Sequence, residues 1–332
     1  MEKDPGRPKI HRMRALHIIE AEVQFLAKLF YCKKLMHNAE KHDLITNQQY
    51  GGRSNLQAQS AVINKLMYYN IAQQQLIEAA FMEDDARNCY DRIITALSAV
   101  EMRSWGQSYE EAEFSVDFLQ QQQYHVRTPL GITKEYYTHT KSDPTFGSGQ
   151  GIGWAGGKFT RTSDVISRIM EDTCAGMQFE DPDKKIKVKK NADFFVDDTA
   201  LGVTQNLIKE VNVLRQLEKD QQKHAYLLFA AGHKLALDKC FYSLVKFLRQ
   251  GLGHRHCLIH EAPGEITLKE GYNMESKVIK RLEPFQCYRT LGHHISVSGN
   301  QKRQIAVLHQ KLDVWCMKLR TRYLNGMDTL YE

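Results

Sequence analysis

The sequence predicts an α+β fold, with helical stretches interleaved with short strands and hairpins. The first observation is Asp193-Phe194-Phe195-Val196-Asp197-Asp198-Thr199-Ala200, where β-favouring apolar residues run into two adjacent carboxylates before apolar residues resume. A strand that ends on two aspartates and turns back sets both acids at a hairpin tip. The second is Ala80-Phe81-Met82-Glu83-Asp84-Asp85, another strand-like run that ends in acids. The third is a set of apolar stripes at helical spacing, such as Leu207, Val211, Leu214 and Leu217, or Ile305, Leu308, Leu312 and Trp315.

Length and composition bound what such a chain can be. Its 332 residues can bury a large core and suggest roughly two or three sub-domains. Hydrophobic content of 42% and charged content of 25% are ordinary for a globular protein. A net charge of +6 is compatible with a polyanionic partner without requiring one. The 7 cysteines are scattered, without a CxxC, and read as reduced thiols of an intracellular protein of nucleus or cytoplasm. No apolar run approaches the ~20 residues needed to span a bilayer. Residues 1–14, with both signs of charge and two prolines near the start, read as a loose basic arm rather than a signal or transit peptide.

Taken in order, Arg14 to about His42 is helical, and Gln49-Tyr50-Gly51-Gly52-Arg53-Ser54-Asn55 is a turn-rich element. Arg53, between glycines and a cap-like Ser54, suits a phosphate contact; an ordinary surface arginine is the alternative. A helix follows from Leu56 to Ala79, then the Ala80–Asp85 strand, whose alternation sends Asp84 and Asp85 to opposite faces. Ala86 to Ile94 turns into a further helix, and Asp91 reads as its cap or a local ion-pair partner. Tyr124 to Thr138 reads as a hairpin, its tyrosines either a packed ladder or a nucleic-acid-facing surface. Phe146 to Gly157 holds six glycines, so its backbone must bend sharply or come close to something. Helix is expected from Thr162 to Asp172, a solvated charged loop from Asp181 to Lys190, and a long helix after Leu201 to Ala231. The stretches Gly232 to Cys240, Cys257 to Leu268 and Tyr288 to Ile295 carry turns and short strands, and the last helix starts near Lys302.

Two strand ends rich in aspartate suit a hard divalent cation, because carboxylates held side by side repel unless something positive lies between them. An exposed Asp-Asp turn is the alternative for either strand alone. Joining a nucleotide to a growing strand needs one metal to activate the primer hydroxyl and a second to stabilise pyrophosphate, and few carboxylates suffice for Mg²⁺.

In that order, the segments from about His11 to Leu324 resemble the reverse transcriptase domain of non-LTR, LINE-like retrotransposons. Asp85-Ala86-Arg87-Asn88-Cys89-Tyr90-Asp91 is similar to its first palm motif, and Gly149-Gln150-Gly151 to its Gln-Gly motif. Phe195-Val196-Asp197-Asp198 is similar to its catalytic hairpin, Gly232 to Cys240 to its Lys-Cys element, Thr290-Leu291-Gly292 to its primer grip, and Gln49 to Arg53 to a fingers motif. The resemblance implies a right-hand polymerase with fingers, palm and a truncated thumb. Its boundaries are a flexible arm at 1–14, fingers at 15–80, the first palm strand and helix at 81–107, a hairpin insertion at 108–145, palm at 146–298 and the start of a thumb helix at 299–332.

The same resemblance implies an RNA-directed DNA polymerase, a nucleotidyltransferase acting on dNTPs with an RNA template and a DNA or RNA primer. Asp85, Asp197 and Asp198 would hold two Mg²⁺, or Mn²⁺ in their place. Tyr90 would exclude a ribose 2′-hydroxyl, Gln150 and Gly151 would lie beside the incoming nucleotide and template, and Arg53 would reach the triphosphate. Lys239 would protonate or neutralise pyrophosphate. The chain departs from the family at Trp154-Ala155-Gly156-Gly157, where Ser, often Ser-Pro, follows the Gln-Gly pair, and soon after Trp315, where the family continues into a thumb. A catalytically inactive retroelement remnant that only binds nucleic acid is the second reading.

Overall fold

In the computed structural model, which describes residues 16–128, 130–183, 185–205, 212–271 and 275–321, one strand lies at the centre of a five-stranded sheet. The expected N-terminal arm, Pro129, Lys184, and the predicted helix positions Leu207 and Val211 lie outside the described residues, as do residues 322–332. The sheet consists of β1 (Ala79–Asp85), β2 (Ala192–Phe195), β3 (Asp198–Thr204), β4 (Phe241–Val245) and β5 (Lys280–Leu282). Its order is β5-β4-β1-β3-β2. Every neighbouring pair is antiparallel except β4 and β5, which run parallel. The helices are α1 (Ala21–Ala27), α2 (Met36–Lys41), α3 (Ala58–Gln74), α4 (Thr95–Arg103), α5 (Tyr109–Gln120), α6 (Ala155–Thr173), α7 (Val213–Ala230) and α8 (Lys302–Thr321). A π-helical stretch, Lys28–Leu35, joins α1 to α2. The architecture is mixed α and β, as the sequence predicts.

Alternation along β1 divides the core. Ala80 and Met82 pack with Ile166 and Met170 of α6 and Leu214, Leu217 and Leu228 of α7. Ala79 and Phe81 point the other way, into a second cluster with Val62 and Tyr69 of α3 and with Tyr288 and Ile295. The last two belong to a small hairpin, Tyr288–Thr290 with His293–Ile295. The sheet is therefore covered on both faces.

Local chemistry explains the helix ends. Ser108 accepts from the Glu111 amide at 3.1 Å while Glu111 accepts from the Ser108 amide at 3.2 Å, a reciprocal cap that starts α5. Asn212 accepts from the Leu214 and Arg215 amides at 3.0 and 3.2 Å and starts α7.

Three expectations need correction. Helix α6 begins at Ala155, inside the glycine-rich segment, rather than at Thr162. Trp154 anchors that first turn: its ring is fully buried, and its indole N–H donates to the Ser148 carbonyl at 3.0 Å. What comes close to this backbone is the chain itself, since a Cβ on Gly153 would lie 2.6 Å from the Lys28 nitrogen. The charged run up to Lys190 is not all loop, because Lys187–Lys190 pairs with Met177–Glu180; Lys187 and Lys189 face outward, while Lys190 turns inward to an ion pair with Asp193 at 2.5 Å. The third concerns the helix expected after Leu201: β3 continues to Thr204 and α7 starts only at Val213, with Leu207 and Val211 outside the described residues. Helix α8 forms where expected, with Ile305, Leu308, Leu312 and Trp315 41–53% exposed.

One buried group on α6 has a measurable consequence. Lys158 is fully buried, donating to Ser115 at 3.1 Å with its ammonium 5.1 Å from the Trp154 ring centre. Burial lowers its pKa to about 7. The folded state then holds the proton less tightly than the unfolded state. This contribution to stability is present above the unfolded pKa and is lost as pH falls through about 7. Replacing Lys158 by Met should raise stability near neutral pH by about 2 kcal/mol and flatten the rise toward alkaline pH. Chemical denaturation at a series of pH values measures both effects; a variant weaker than wild type at pH 7 contradicts the account.

Candidate active site

The strand ends converge on one edge of the sheet. In the β1–β3 pairing, Asp85 lies directly opposite Asp198, and the Ala86 amide donates to the Asp197 carbonyl at 2.8 Å. β2 and β3 form the predicted hairpin, with Phe195 opposite Asp198 and Val196 and Asp197 at the turn. Val196 has φ of 54°, a left-handed conformation that costs a β-branched residue about 1 kcal/mol or more.

The three carboxylates feel one another. Asp198 is pushed up to about 7, first by burial and then by Asp197 and Asp85. The Cys89 thiol is pushed up by burial and then by Asp197, with Asp85 adding to the effect. Lys239 supplies the nearest opposite charge, its ammonium donating to Asp85 in an ion pair. The element carrying it runs beside the strand end: the Ala236 amide donates to the Asp85 carbonyl at 2.8 Å and the Arg87 amide to the Lys234 carbonyl at 2.7 Å. Lys65 also acts on Asp198, lowering its pKa against the carboxylates that raise it.

Asp84 faces away, as alternation requires. It is buried beneath α7, accepting from His224 at 3.0 Å and from the Gln221 amide group at 2.5 Å. Of the two acids at this strand end, only Asp85 shares a face with Asp198.

Of the other predicted residues, Tyr90 and the turn that carries Arg53 lie against this hairpin, whereas Gln150 and Gly151 contact the N-terminal helical segment. Gln49 bridges Phe194 as an added parallel strand segment, with the Tyr50 amide on the Phe194 carbonyl at 2.8 Å. This lays the Gly51-Gly52 turn on the Asp-Asp hairpin so closely that a Cβ on Gly51 would lie 2.5 Å from the Val196 nitrogen. Tyr90 joins Val196, Phe159, Ala86 and Ile93 in a small cluster, its ring 6.0 Å from that of Phe159. Gln150 and Gly151 lie further along the loop that begins at Ser148, whose amide donates to the Tyr90 carbonyl at 2.8 Å. Their own carbonyls accept from the His17 amide at 2.8 Å and from Gln24 at 2.7 Å. Arg53 is engaged within its own turn, donating to the Thr46 and Gln49 carbonyls at 3.1 and 3.3 Å, with Glu40 at 3.6 Å.

Two residues were not anticipated from sequence. Glu83 and Lys65 form a buried ion pair at 2.6 Å on the Asp85 face of β1. Period-two alternation from Asp85 could have placed Glu83 on that face, but nothing local points to Lys65 as its partner. Among the described residues, no group of three or more His, Cys, Asp or Glu side chains forms a ready metal-binding cluster. Nor is any described helix long and apolar enough to cross a membrane.

No protein-family model matches the chain, and no curated protein matches it. Among solved structures, the chain is similar to telomerase from Candida tropicalis in complex with a TWJ fragment of telomeric RNA, with a TM-score of 0.46 and 10% identity over 66% of this chain and 34% of that one. It is also similar to telomerase from Candida albicans in complex with the same kind of fragment, with a TM-score of 0.38 and 12% identity over 77% of this chain and 38% of that one. A third similar structure is apo telomerase from Candida tropicalis truncated from the C-terminal domain, with a TM-score of 0.40 and 12% identity over 77% of this chain and 45% of that one. The chain thus spans between a third and a half of the length of these proteins.

Two outcomes test this geometry. Because Asp198 sits well above the usual carboxylate range, its contribution to stability is present at acid pH and lost as pH rises through about 7. In metal-free buffer at pH 8, Asp198→Asn should stabilise the fold by about 1–2 kcal/mol, an amount reduced for partial solvent screening; equal denaturation midpoints at pH 8 contradict the mutual repulsion. Gly51→Ala should destabilise by about 1–3 kcal/mol, because a rigid backbone atom has to move.

Proposed function

We propose that the chain is the reverse transcriptase domain of a non-LTR retroelement: an RNA-directed DNA polymerase, with fingers from 15–80, palm strands and helices through 298, and the start of a thumb in α8. The observation that carries this reading is the register of Asp85 against Asp198 at the base of the Asp197-Asp198 turn, with Lys239 on Asp85. The donor set is chemically suited to Mg²⁺, which takes hard oxygen ligands and commonly uses only one or two carboxylates plus water and phosphate. Repulsion among Asp85, Asp197 and Asp198 is what a divalent cation would offset. When bound there, Mg²⁺ supplies activation of the primer 3′-hydroxyl and charge stabilisation of the departing pyrophosphate.

The chain's own residues account for the rest. Asp85, Asp197 and Asp198 would hold the cations at the sheet edge. Lys239 reaches the site on a half-exposed side chain, so its ammonium can leave Asp85 for a triphosphate and supply charge or a proton to pyrophosphate. Tyr90, whose ring packs edge-on against Phe159, would be the residue that excludes a 2′-hydroxyl in this reading. Gln150 and Gly151 stand beside the nucleotide and template in this reading. Arg53 would have to release its carbonyl partners to touch phosphate.

The second reading, a remnant that binds nucleic acid without turnover, draws on the ion pair itself: as it stands, Lys239 occupies the Asp85 carboxylate. Mg²⁺-dependent primer extension on an RNA template separates the two. Wild type should extend, and Asp197→Ala should lose at least about a hundredfold in kcat/KM. Equal extension by the variant rules out the carboxylate site, and salt-dependent RNA binding without extension by wild type selects the remnant.

A further inference from the structure

The Lys65–Glu83 pair is the hub of a larger buried network. The Lys65 ammonium donates to Glu83 at 2.6 Å and to the Thr290 hydroxyl at 3.0 Å. The Tyr288 hydroxyl donates to the other Glu83 oxygen at 3.0 Å, and the hydroxyls of Tyr69 and Tyr288 lie 2.6 Å apart. Five side chains from three places in the chain are joined: Lys65 and Tyr69 from α3, Glu83 from β1, and Tyr288 and Thr290 from the 288–295 hairpin. All five are buried.

These elements also share an apolar cluster. Buried ion pairs seldom add stability over well-packed apolar residues of similar volume, because removing two charges from water offsets their attraction. What a hydrogen-bonded pair adds is direction: each donor and acceptor tolerates only a narrow placement of its partner. Glu83 stands two residues from Asp85 on the same strand face, roughly 7 Å along β1. Anything bonded to Glu83 is therefore registered against the strand end that carries the aspartates. Both hairpin residues that reach it do so through hydroxyls, while the turn at Leu291 and Gly292 lies partly open to solvent.

We propose that Glu83 and Lys65 are positioning residues, whose buried network with Tyr288 and Thr290 sets the distance between the 288–295 hairpin and the Asp85, Asp197 and Asp198 carboxylates. Resting on the polymerase reading, this places a primer terminus carried by the hairpin in line with those carboxylates. The network acts on the reaction through geometry and touches no substrate.

The decisive variant is Tyr288→Phe with Thr290→Val, which removes both hydroxyls and leaves the Lys65–Glu83 pair and the apolar packing in place. Amide hydrogen exchange of residues 288–295 should speed up about tenfold, with α3 and β1 unchanged, as expected when hydrogen bonds to a charged group are lost. In primer extension, KM for the primer–template should rise about tenfold with kcat nearly constant. Tyr69→Phe, which spares both contacts to Glu83, should change either reading less than threefold. Unchanged exchange in the hairpin, or exchange that rises equally throughout the chain, overturns the proposal. Should the double variant unfold, Thr290→Val alone carries the same comparison. Wild type that extends no primer overturns the polymerase reading, while the exchange arm still decides whether these hydroxyls hold the hairpin to β1.

Discussion

Two aspartates face each other across adjacent antiparallel strands, and much of the surrounding structure answers to that repulsion. Directly opposed side chains on such strands have Cβ atoms only about 4.5–5.5 Å apart, where like charges are destabilising. Asp85 and Asp198 occupy such a pair, and Asp197 follows in the turn. Lys239 neutralises one end and Lys65 acts on the other. The Gly51 turn lies so close to the hairpin backbone at Val196, itself in the left-handed region, that it leaves no space for a side chain at Gly51.

Glu83, Asp84 and Asp85 are three consecutive acids with three different fates. Glu83 is paired with Lys65 in a buried network, Asp84 is held under α7 by His224 and Gln221, and Asp85 reaches the sheet edge and Lys239. Strand alternation separates Asp84 from the other two. Position along the strand separates those: Glu83 lies under α3 and the 288–295 hairpin, whereas Asp85 lies where the strand leaves that cover. One short strand thus ties the two helical faces of the sheet to the candidate site.

Much of the core, and the meeting of two acid-ended strands at one sheet edge, was legible in order along the chain. The Asp197-Asp198 hairpin and the acid-ended strand at Asp85 carry local signals, because β-favouring residues interrupted by paired acids leave few other conformations. The glycine-rich segment was legible as a place of close approach but not as to what approaches. Gly153 meets Lys28, a residue 125 positions earlier, and that contact lets α6 start a full turn or more before the apolar periodicity announces it. For α8 the reverse holds: its stripe predicted the helix correctly, while its exposure depends on which neighbours reach it.

By itself the sequence determined where strands end in carboxylates, which faces of β1 they take, and the order of the motifs that carry the resemblance. Those properties follow from period-two alternation and from short-range turn chemistry, which neighbouring residues decide. Tertiary structure alone decided that Asp85 lies opposite Asp198, that Lys239 pairs with Asp85 across a separation of 154 residues, and that Lys65 meets Thr290 across 225. Register and ion pairing at such separations depend on how whole elements pack, and no local propensity encodes them. The Asp-Asp hairpin was readable from its own eight residues; the charges that make it a candidate site were not.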